Sequence, residues 1–376
     1  MSHWDDFLGT TPDAVLGWAD SQPWARAMAS CAQDAGWHAE GDVWAHTRMV
    51  VAELGRLEEW PTLEPEARRA LTFAAIFHDA GKPSRTHVDP ETGRTHAPGH
   101  SLAGMVIARH ALRDLGCDLD AREGITNLVR FHGRPAHLLE KADPAHEVIG
   151  LSWLLDHRLL TLLALADTRG RITADMARPE EVLGLWKCVA EENDCFTRPF
   201  AFANDQARFH FHRGTLSDLN SAPREDFRGT VTLMSGLPGS GKDTWLAAHR
   251  PGLPVVALDG VRAALGVGPT DDQGAVIQAA REACRVHLRA GRDFAFNATN
   301  TMRPTRERWI DLCADYGARV ELVYLEPPLS VIFERNARRS PTVPRRVIER
   351  LVEKLEPPTW AEAHSLSRVA DPRLGG

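Results

Sequence analysis

Two patterns of apolar spacing divide this chain. From about residue 42 to 200, apolar positions recur at spacings of three and four, β-branched runs are scarce, and Pro and Gly cluster between segments. That periodicity predicts amphipathic helices, over 43–58, 65–80, 99–115, 120–132, 146–166 and 178–192. At Val231 the pattern changes. Short apolar runs, VTLMS at 231–235, PVVAL at 254–258, FAFNAT at 294–299 and RVELVYL at 319–325, alternate with helical stretches at 242–249, 272–290, 304–316 and 329–339. Buried runs alternating with helices predict a parallel, doubly wound sheet. The expectation is an all-α domain over 1–200, a turn-rich linker over 201–228 and an α/β domain over 229–376. Inside the linker, Phe209-His210-Phe211-His212 reads as a buried edge strand joining the domains, with base stacking as the alternative.

Composition adds limits. A chain of 376 residues is long for one domain. The six cysteines are scattered without a CxxC pair, which argues against a disulfide framework and a thiolate zinc site and fits a reducing, cytoplasmic compartment. The start, MSHWDDF, is no secretory signal. The most apolar stretch, Leu151 to Ala166, is too short and too charged to span a membrane. From Gly229 onward 20 Lys and Arg stand against 17 Asp and Glu, a net +3, so the −7 of the whole chain leaves −10 on the first 228 residues. Neither half is basic enough for tight, non-specific nucleic-acid binding. A nucleic-acid substrate would be gripped at an end.

Gly236-Leu237-Pro238-Gly239-Ser240-Gly241-Lys242-Asp243 follows the first buried run directly and opens a helix. That order makes a phosphate-binding loop. Gly236, Gly239 and Gly241 let backbone N–H groups face a phosphate, the helix N-terminus adds positive charge, and Lys242 reaches the terminal phosphates. Ser240 and Thr244 complete the candidate nucleotide contacts. Asp243 stands where Ser or Thr is usual; it could hold magnesium directly or through water. Asp259, in Leu258-Asp259-Gly260-Val261-Arg262, ends the second apolar run. A carboxylate at a strand's carboxyl end faces the ligand crevice and could take a proton from an attacking hydroxyl. Capping of the next helix is its structural alternative. Arg262 could hold an acceptor phosphate. Arg335 and Arg339, four apart, share a helical face and could close over a triphosphate, or form a solvated basic surface.

The loop GLPGSGKDT, the DGVR box, FNATN at 296–300 and the arginine-rich stretch resemble the 5′-hydroxyl polynucleotide kinase branch of P-loop kinases, over about residues 229–376. The resemblance implies ATP or another nucleoside triphosphate with Mg2+. It makes Asp259 the base, Arg262 the acceptor-phosphate clamp, and Arg335 and Arg339 lid arginines. Asn297 and Asn300 would line the acceptor groove, with no role assigned to either.

The first half carries different chemistry. The apolar run Leu71–Phe77 ends in His78-Asp79, followed by Gly81-Lys82; Asp167 ends the run Leu162–Ala166, and His132 ends Leu128–Phe131. Polar groups at buried helix ends are costly unless they are paired or bind a metal. His46 lies within an amphipathic segment. Imidazole with carboxylate suits Mn, Co, Ni, Zn or Fe, and a shared carboxylate can bridge two ions. Asp79 is the natural bridge. The order H…HD…D resembles the HD phosphohydrolase superfamily over about residues 40–200. The resemblance makes His46, His78, Asp79 and Asp167 the primary metal set, adds His100 and His132 for a dinuclear centre, and sets Lys82 on a substrate phosphate. His96 competes with His100 on the same loop; His87 reads as a surface or core residue.

Together the halves imply an all-α HD-type domain followed by an α/β P-loop kinase domain with a parallel sheet. The whole resembles the bacterial end-healing proteins that join an HD phosphohydrolase to a polynucleotide 5′-kinase. These phosphorylate 5′-OH ends of RNA or DNA and hydrolyse 2′,3′-cyclic phosphate or 2′-phosphate ends. Two other readings share the motifs: an HD nucleotidase fused to a small-molecule kinase, and a nucleotide-sensing regulator without turnover. A homodimer is left open.

Overall fold

The structure, a computed structural model, describes residues 3–33, 41–172, 177–268, 270–340 and 342–370. The chain forms two compact units, Met1–Ala201 and Phe202–Gly376.

The first unit is helical: α1 (Pro12–Asp20), α2 (Pro23–Ala29), α3 (Val43–Leu54), α4 (Pro65–Phe77), then a small hairpin of β1 (His87–Val88) and β2 (Thr95–His96), α5 (His100–Asp114), α6 (Leu119–Phe131), α7 (Pro144–Leu151), α8 (His157–Arg169) and α9 (Ala177–Glu192). Every residue of α4 from Leu71 to Phe77 is buried. A helix apolar on all sides must be surrounded, and α1, α3, α5, α6 and α8 pack around this one. One face of its C-terminal half is covered by an aromatic cluster in which Trp4, Phe7 and Trp18 meet Phe73 and Trp24 meets Phe77. One buried ion cluster clamps α5 to α6. Arg109 donates to Glu123 at 2.9, 3.1 and 3.2 Å, and Arg122 adds a further guanidinium bond at 3.0 Å. Burial opposes the Glu123 charge, but the two arginines pull it down to about 2.

The segment expected as one helix over 146–166 is two. Asp156 accepts from the N–H groups of Arg158 and Leu159, which starts α8 afresh.

The second unit holds five parallel strands in the order β4-β5-β3-β6-β7: β3 (Thr230–Gly236), β4 (Val255–Ala257), β5 (Phe294–Asn297), β6 (Arg319–Leu325) and β7 (Ser365–Val369). Its helices are α10 (Asp205–His212), α11 (Lys242–His249), α12 (Leu258–Ala264), α13 (Gly274–Arg289), α14 (Arg303–Asp315), α15 (Leu329–Ala337) and α16 (Arg345–Glu353). The loop strand β3 is central and almost wholly buried, so its carboxyl end opens at the middle of the sheet edge where ligands bind.

Residues 202–228, expected as most of a linker, belong to this second unit. The Phe209–His212 run is helical rather than an edge strand. Asn204 caps α10 through the Ala207 N–H, and both phenylalanines are buried by packing: Phe209 stacks on His364 at 4.0 Å and Phe211 meets Phe202 at 5.0 Å. His364 is the pivot of this packing. Its Nδ1 accepts from the Val320 N–H at 3.0 Å, so Nε2 carries the hydrogen and donates to Gln206 Oε1 at 2.7 Å. Burial, with Arg319 nearby, pushes His364 down to about 3.

A neutral His364 is therefore part of the fold. The unfolded chain takes up a proton below the ordinary histidine value near 6.5 while the folded chain resists until about 3, so stability falls as pH drops through that window, by up to about 1.4 kcal/mol per pH unit. Thermal unfolding of the full chain between pH 7 and pH 5 should show a smaller pH-dependent loss for His364→Asn than for the unsubstituted protein. Parallel curves for the two would remove His364 as the cause.

Candidate functional site

The helical unit brings all six expected metal-ligand residues together. His46 comes from the first turn of α3, His78 and Asp79 from the end of α4, His100 from the first turn of α5, His132 from the end of α6, and Asp167 from α8. They form two triads, His46 with His78 and Asp167, and Asp79 with His100 and His132, each with donor atoms within 4.8 Å of one another. His46, His78, Asp79, His132 and Asp167 are buried, and His100 is half-buried.

The ring orientations are set by the backbone. His78, His100 and His132 each donate from Nδ1 to the carbonyl three residues earlier, Ala75, Ala97 and Val129, at 2.7, 2.8 and 2.8 Å. His46 Nδ1 donates to the Gly170 carbonyl at 3.2 Å. A neutral ring anchored in this way presents a lone pair at Nε2. Those lone pairs face carboxylate oxygens: His46 lies 3.0 Å from Asp167 Oδ1, His78 3.3 Å from Asp79 Oδ2, and His100 3.4 Å from Asp79 Oδ1. His78 Nε2 is buried without a hydrogen-bond partner. Acceptors converging on acceptors fit a divalent cation, which satisfies both at once. His132 is held neutral, pushed down to about 4 chiefly by burial, as a ligand ring must be.

Both carboxylates stay ionised. Burial alone would raise Asp79, yet the Lys82 ammonium holds it well below the usual range; Lys82 Nζ sits 2.7 Å from Oδ2 and donates also to Gln33 Oε1 at 2.6 Å. Asp167 is likewise held low against burial, first by Arg171. Arg171 was not singled out from the sequence. It donates from Nη2 to Asp167 Oδ2 at 2.6 Å and from Nε to Oδ1 at 3.3 Å. The Asp-to-Arg spacing of four at a helix end was the available signal.

Gly81 makes the second triad reachable. A Cβ there would collide with the His100 carbonyl and lie 2.5 Å from the Gly104 nitrogen, so only glycine lets α5 dock against the doublet. Beside Lys82 and His100 opens a cleft of about 640 Å³, within the range that takes nucleotide-sized ligands. The hairpin walls it with His87, Thr95 and His96. His96 thus belongs to the cleft wall and stands outside both triads. Sequence periodicity could not show this hairpin, whose strands are two residues long.

In the α/β unit the glycine-rich run wraps as expected. Gly236 has φ 147° and a Cβ would meet the Leu325 carbonyl at 2.6 Å. Gly239 and Gly241 also have positive φ, and α11 starts at Lys242 with no side-chain cap. Its first-turn N–H groups are therefore open to a ligand. Lys242 Nζ donates to the carbonyls of Gly236 and Leu237 at 2.9 and 3.0 Å. Burial pulls this ammonium down to about 8, with Asp243 and Asp259 opposing the shift. Ser240 Oγ is buried without a partner, and Thr244 is exposed.

Asp259 sits in the first turn of α12, directly after β4. Arg262 Nη1 donates to its Oδ1 at 2.5 Å and Arg339 Nη2 to its Oδ2 at 3.4 Å. Arg262 Nε is braced by Gln273 Oε1 at 2.9 Å. Arg335 Nη1 donates to the Ser240 carbonyl at 3.3 Å. α15 ends at Ala337, so Arg339 lies beyond the helix expected to carry it, and the two arginines reach the loop from a helix and its exit. Asn297 Nδ2 donates to Asp243 Oδ1 at 2.6 Å. Asn300, at φ 44°, is pinned to β3 by bonds to the Met234 carbonyl and from Ser235 Oγ. Its carbonyl also accepts from Arg306, which is buried in a two-bond pair with Glu362 at 2.7 and 2.9 Å.

Gly81→Ala should destabilise the full chain by about 2 kcal/mol or more and abolish divalent-metal binding to the second triad. Chemical denaturation and metal titration by calorimetry would measure both. Unchanged stability and metal stoichiometry would refute the close-approach argument.

Comparison with known proteins finds a match within each half. Residues 43–167 match the family model described as HD domain, and residues 231–358 match the one described as AAA domain. Over 89 residues, 24% of this chain and 19% of the relative, the sequence is 42% identical to the CC-adding tRNA nucleotidyltransferase of Thermus thermophilus. The chain spans about a fifth of that relative's length. Among solved structures, one described as a kinase from Chloroflexus aurantiacus J-10-fl is 17% identical, with 39% of this chain and 86% of that chain covered and a TM-score of 0.33. A gluconokinase from Sinorhizobium meliloti 1021 is 23% identical, with 39% and 85% covered and a TM-score of 0.29. The chain carries an HD domain followed by a P-loop kinase-like domain.

Proposed function

We propose that this chain heals broken nucleic-acid ends, phosphorylating 5′-OH termini at the P-loop and hydrolysing 2′,3′-cyclic phosphate or 2′-phosphate termini at the HD centre. The observation that carries the reading is the pairing of Asp259 with Arg262 beside Lys242. One helical turn offers a carboxylate to take the hydroxyl proton and a guanidinium, braced by Gln273, to hold a phosphate on the acceptor. A nucleotide at a chain end carries both groups. The cleft beside His100 of the second triad, at about 640 Å³, suits a terminal nucleotide better than a lone phosphate. The relative that shares 89 residues is itself named for tRNA, in keeping with a nucleic-acid substrate.

In the kinase reaction Asp259 accepts the proton of the attacking 5′-OH and Arg262 fixes the adjoining phosphate. Lys242 leaves its two carbonyl partners for the transferred phosphate of ATP, and Arg335 and Arg339 neutralise charge from the lid side. In the hydrolase reaction, His46, His78 and Asp167 would hold one divalent ion and His100 and His132 a second, with Asp79 between them. Bound there, the metals supply Lewis acidity and an activated water. Lys82 orients the substrate phosphate from the cleft floor, and Arg171 keeps Asp167 ionised and correctly turned.

Asp259→Ala should lower transfer from ATP to a 5′-OH oligonucleotide by about 100-fold or more and leave hydrolysis of a 2′,3′-cyclic phosphate end within about twofold of the unsubstituted rate. Asp79→Ala should do the reverse. Loss of both activities in either variant would overturn the two-centre reading. Transfer confined to small alcohols or nucleosides would turn it toward metabolite phosphorylation.

A further inference from the structure

P-loop enzymes share their magnesium ion between a hydroxyl on the residue after the loop lysine and an aspartate elsewhere in the site. In this chain the residue after Lys242 is the carboxylate, Asp243, and the group that faces it is an amide. Asn297 is the last residue of β5, the parallel neighbour of the loop strand β3. It is buried to 8% exposure and donates to Asp243 Oδ1 at 2.6 Å. Among the described residues no hydrogen bond or ion pair holds the other oxygen, Oδ2. Asp259, the other carboxylate near the loop, is engaged by Arg262 and Arg339.

We propose that the kinase site binds magnesium through Asp243, that Asn297 positions that carboxylate, and that acid and neutral partner have exchanged places relative to the usual P-loop arrangement. An amide is suited to the strand-end position because it donates a hydrogen without adding charge. A second carboxylate at 297 would stand against Asp243 at hydrogen-bond distance, where two like charges cannot both persist. The exchange has an electrostatic cost that depends on metal. A hydroxyl tolerates a bare triphosphate, whereas a carboxylate beside Lys242 repels one until a divalent ion intervenes. Nucleotide binding to this loop should therefore require Mg2+ more strictly than the same loop with a hydroxyl at 243 and Asn297 retained.

The proposal rests on the reading of this loop as an ATP-binding kinase site and is independent of the acceptor. Calorimetric titration of the full chain with ATP, in MgCl2 and in EDTA, gives the Mg2+ dependence of the affinity. The unsubstituted protein should lose affinity by about 100-fold in EDTA, and Asp243→Thr should lose about tenfold or less. The double variant with Asp243→Thr and Asn297→Asp, which moves the acid back to the strand, should recover most of the dependence. Thermal unfolding identifies any variant that fails to fold, and the double variant then serves alone. An Asp243→Thr protein with the full Mg2+ dependence, or a folded double variant that recovers none of it, overturns the exchange. Failure of the unsubstituted protein to bind MgATP would instead sink the kinase reading.

Discussion

The helical domain is arranged around one charge that water does not reach. Asp79 lies at the end of a helix whose last seven residues are buried, a place where an unpaired carboxylate would cost several kcal/mol. Lys82, 2.7 Å from its Oδ2, keeps it ionised. The four helices that bring the remaining donors, α3 with His46, α5 with His100, α6 with His132 and α8 with Asp167, are all among those packed against α4. Core packing and site assembly are thus the same event, and the Arg109–Glu123 clamp between α5 and α6 fixes the spacing of His100 and His132.

The kinase-like domain solves a similar problem with its main chain. Glycines with positive φ turn the loop, and the uncapped start of α11 offers N–H groups where phosphate would sit. Side chains enter mainly as braces. Asn300 adopts a left-handed conformation and is held there by β3 and Arg306; the segment that carries Asn297 is thereby tied to the phosphate loop, where Gly236 donates to the Thr299 carbonyl at 2.8 Å. Backbone dipoles tolerate different ligands on the same frame, whereas a cluster of imidazoles and carboxylates commits its domain to metal chemistry.

Much of this was legible in the chain because burial leaves a signature in sequence. His78-Asp79, His132 and Asp167 each end an apolar run, and a polar group in that position calls for a partner. The strand, glycine turn and helix of the loop are contiguous, so their geometry could be read locally. What escaped was non-local or short. Arg171 is one arginine among many until the fold turns it onto Asp167. The hairpin carrying His87 and His96 has no periodicity to detect. α10 hid behind an alternating Phe-His run that resembles a strand, and only the Asn204 cap argued for a helix. β7, with a half-polar sequence, is a strand because β6 offers it an edge. Asn297 was noticed but had no role until its amide was found on Asp243.

The carbonyl anchors of the histidines have a further consequence. Because hydrogen bonds to the main chain orient the four rings, the donor nitrogens converge before any ion arrives, and little ordering is left for binding to accomplish. Such a socket is rigid in shape but undemanding in element: nitrogen and carboxylate oxygen at these spacings accept most first-row divalent ions, in the general order of their intrinsic affinities. Which ion the HD centre carries then becomes a matter of supply in the surrounding medium, and one protein made under different metal regimes would be several catalysts with the same fold.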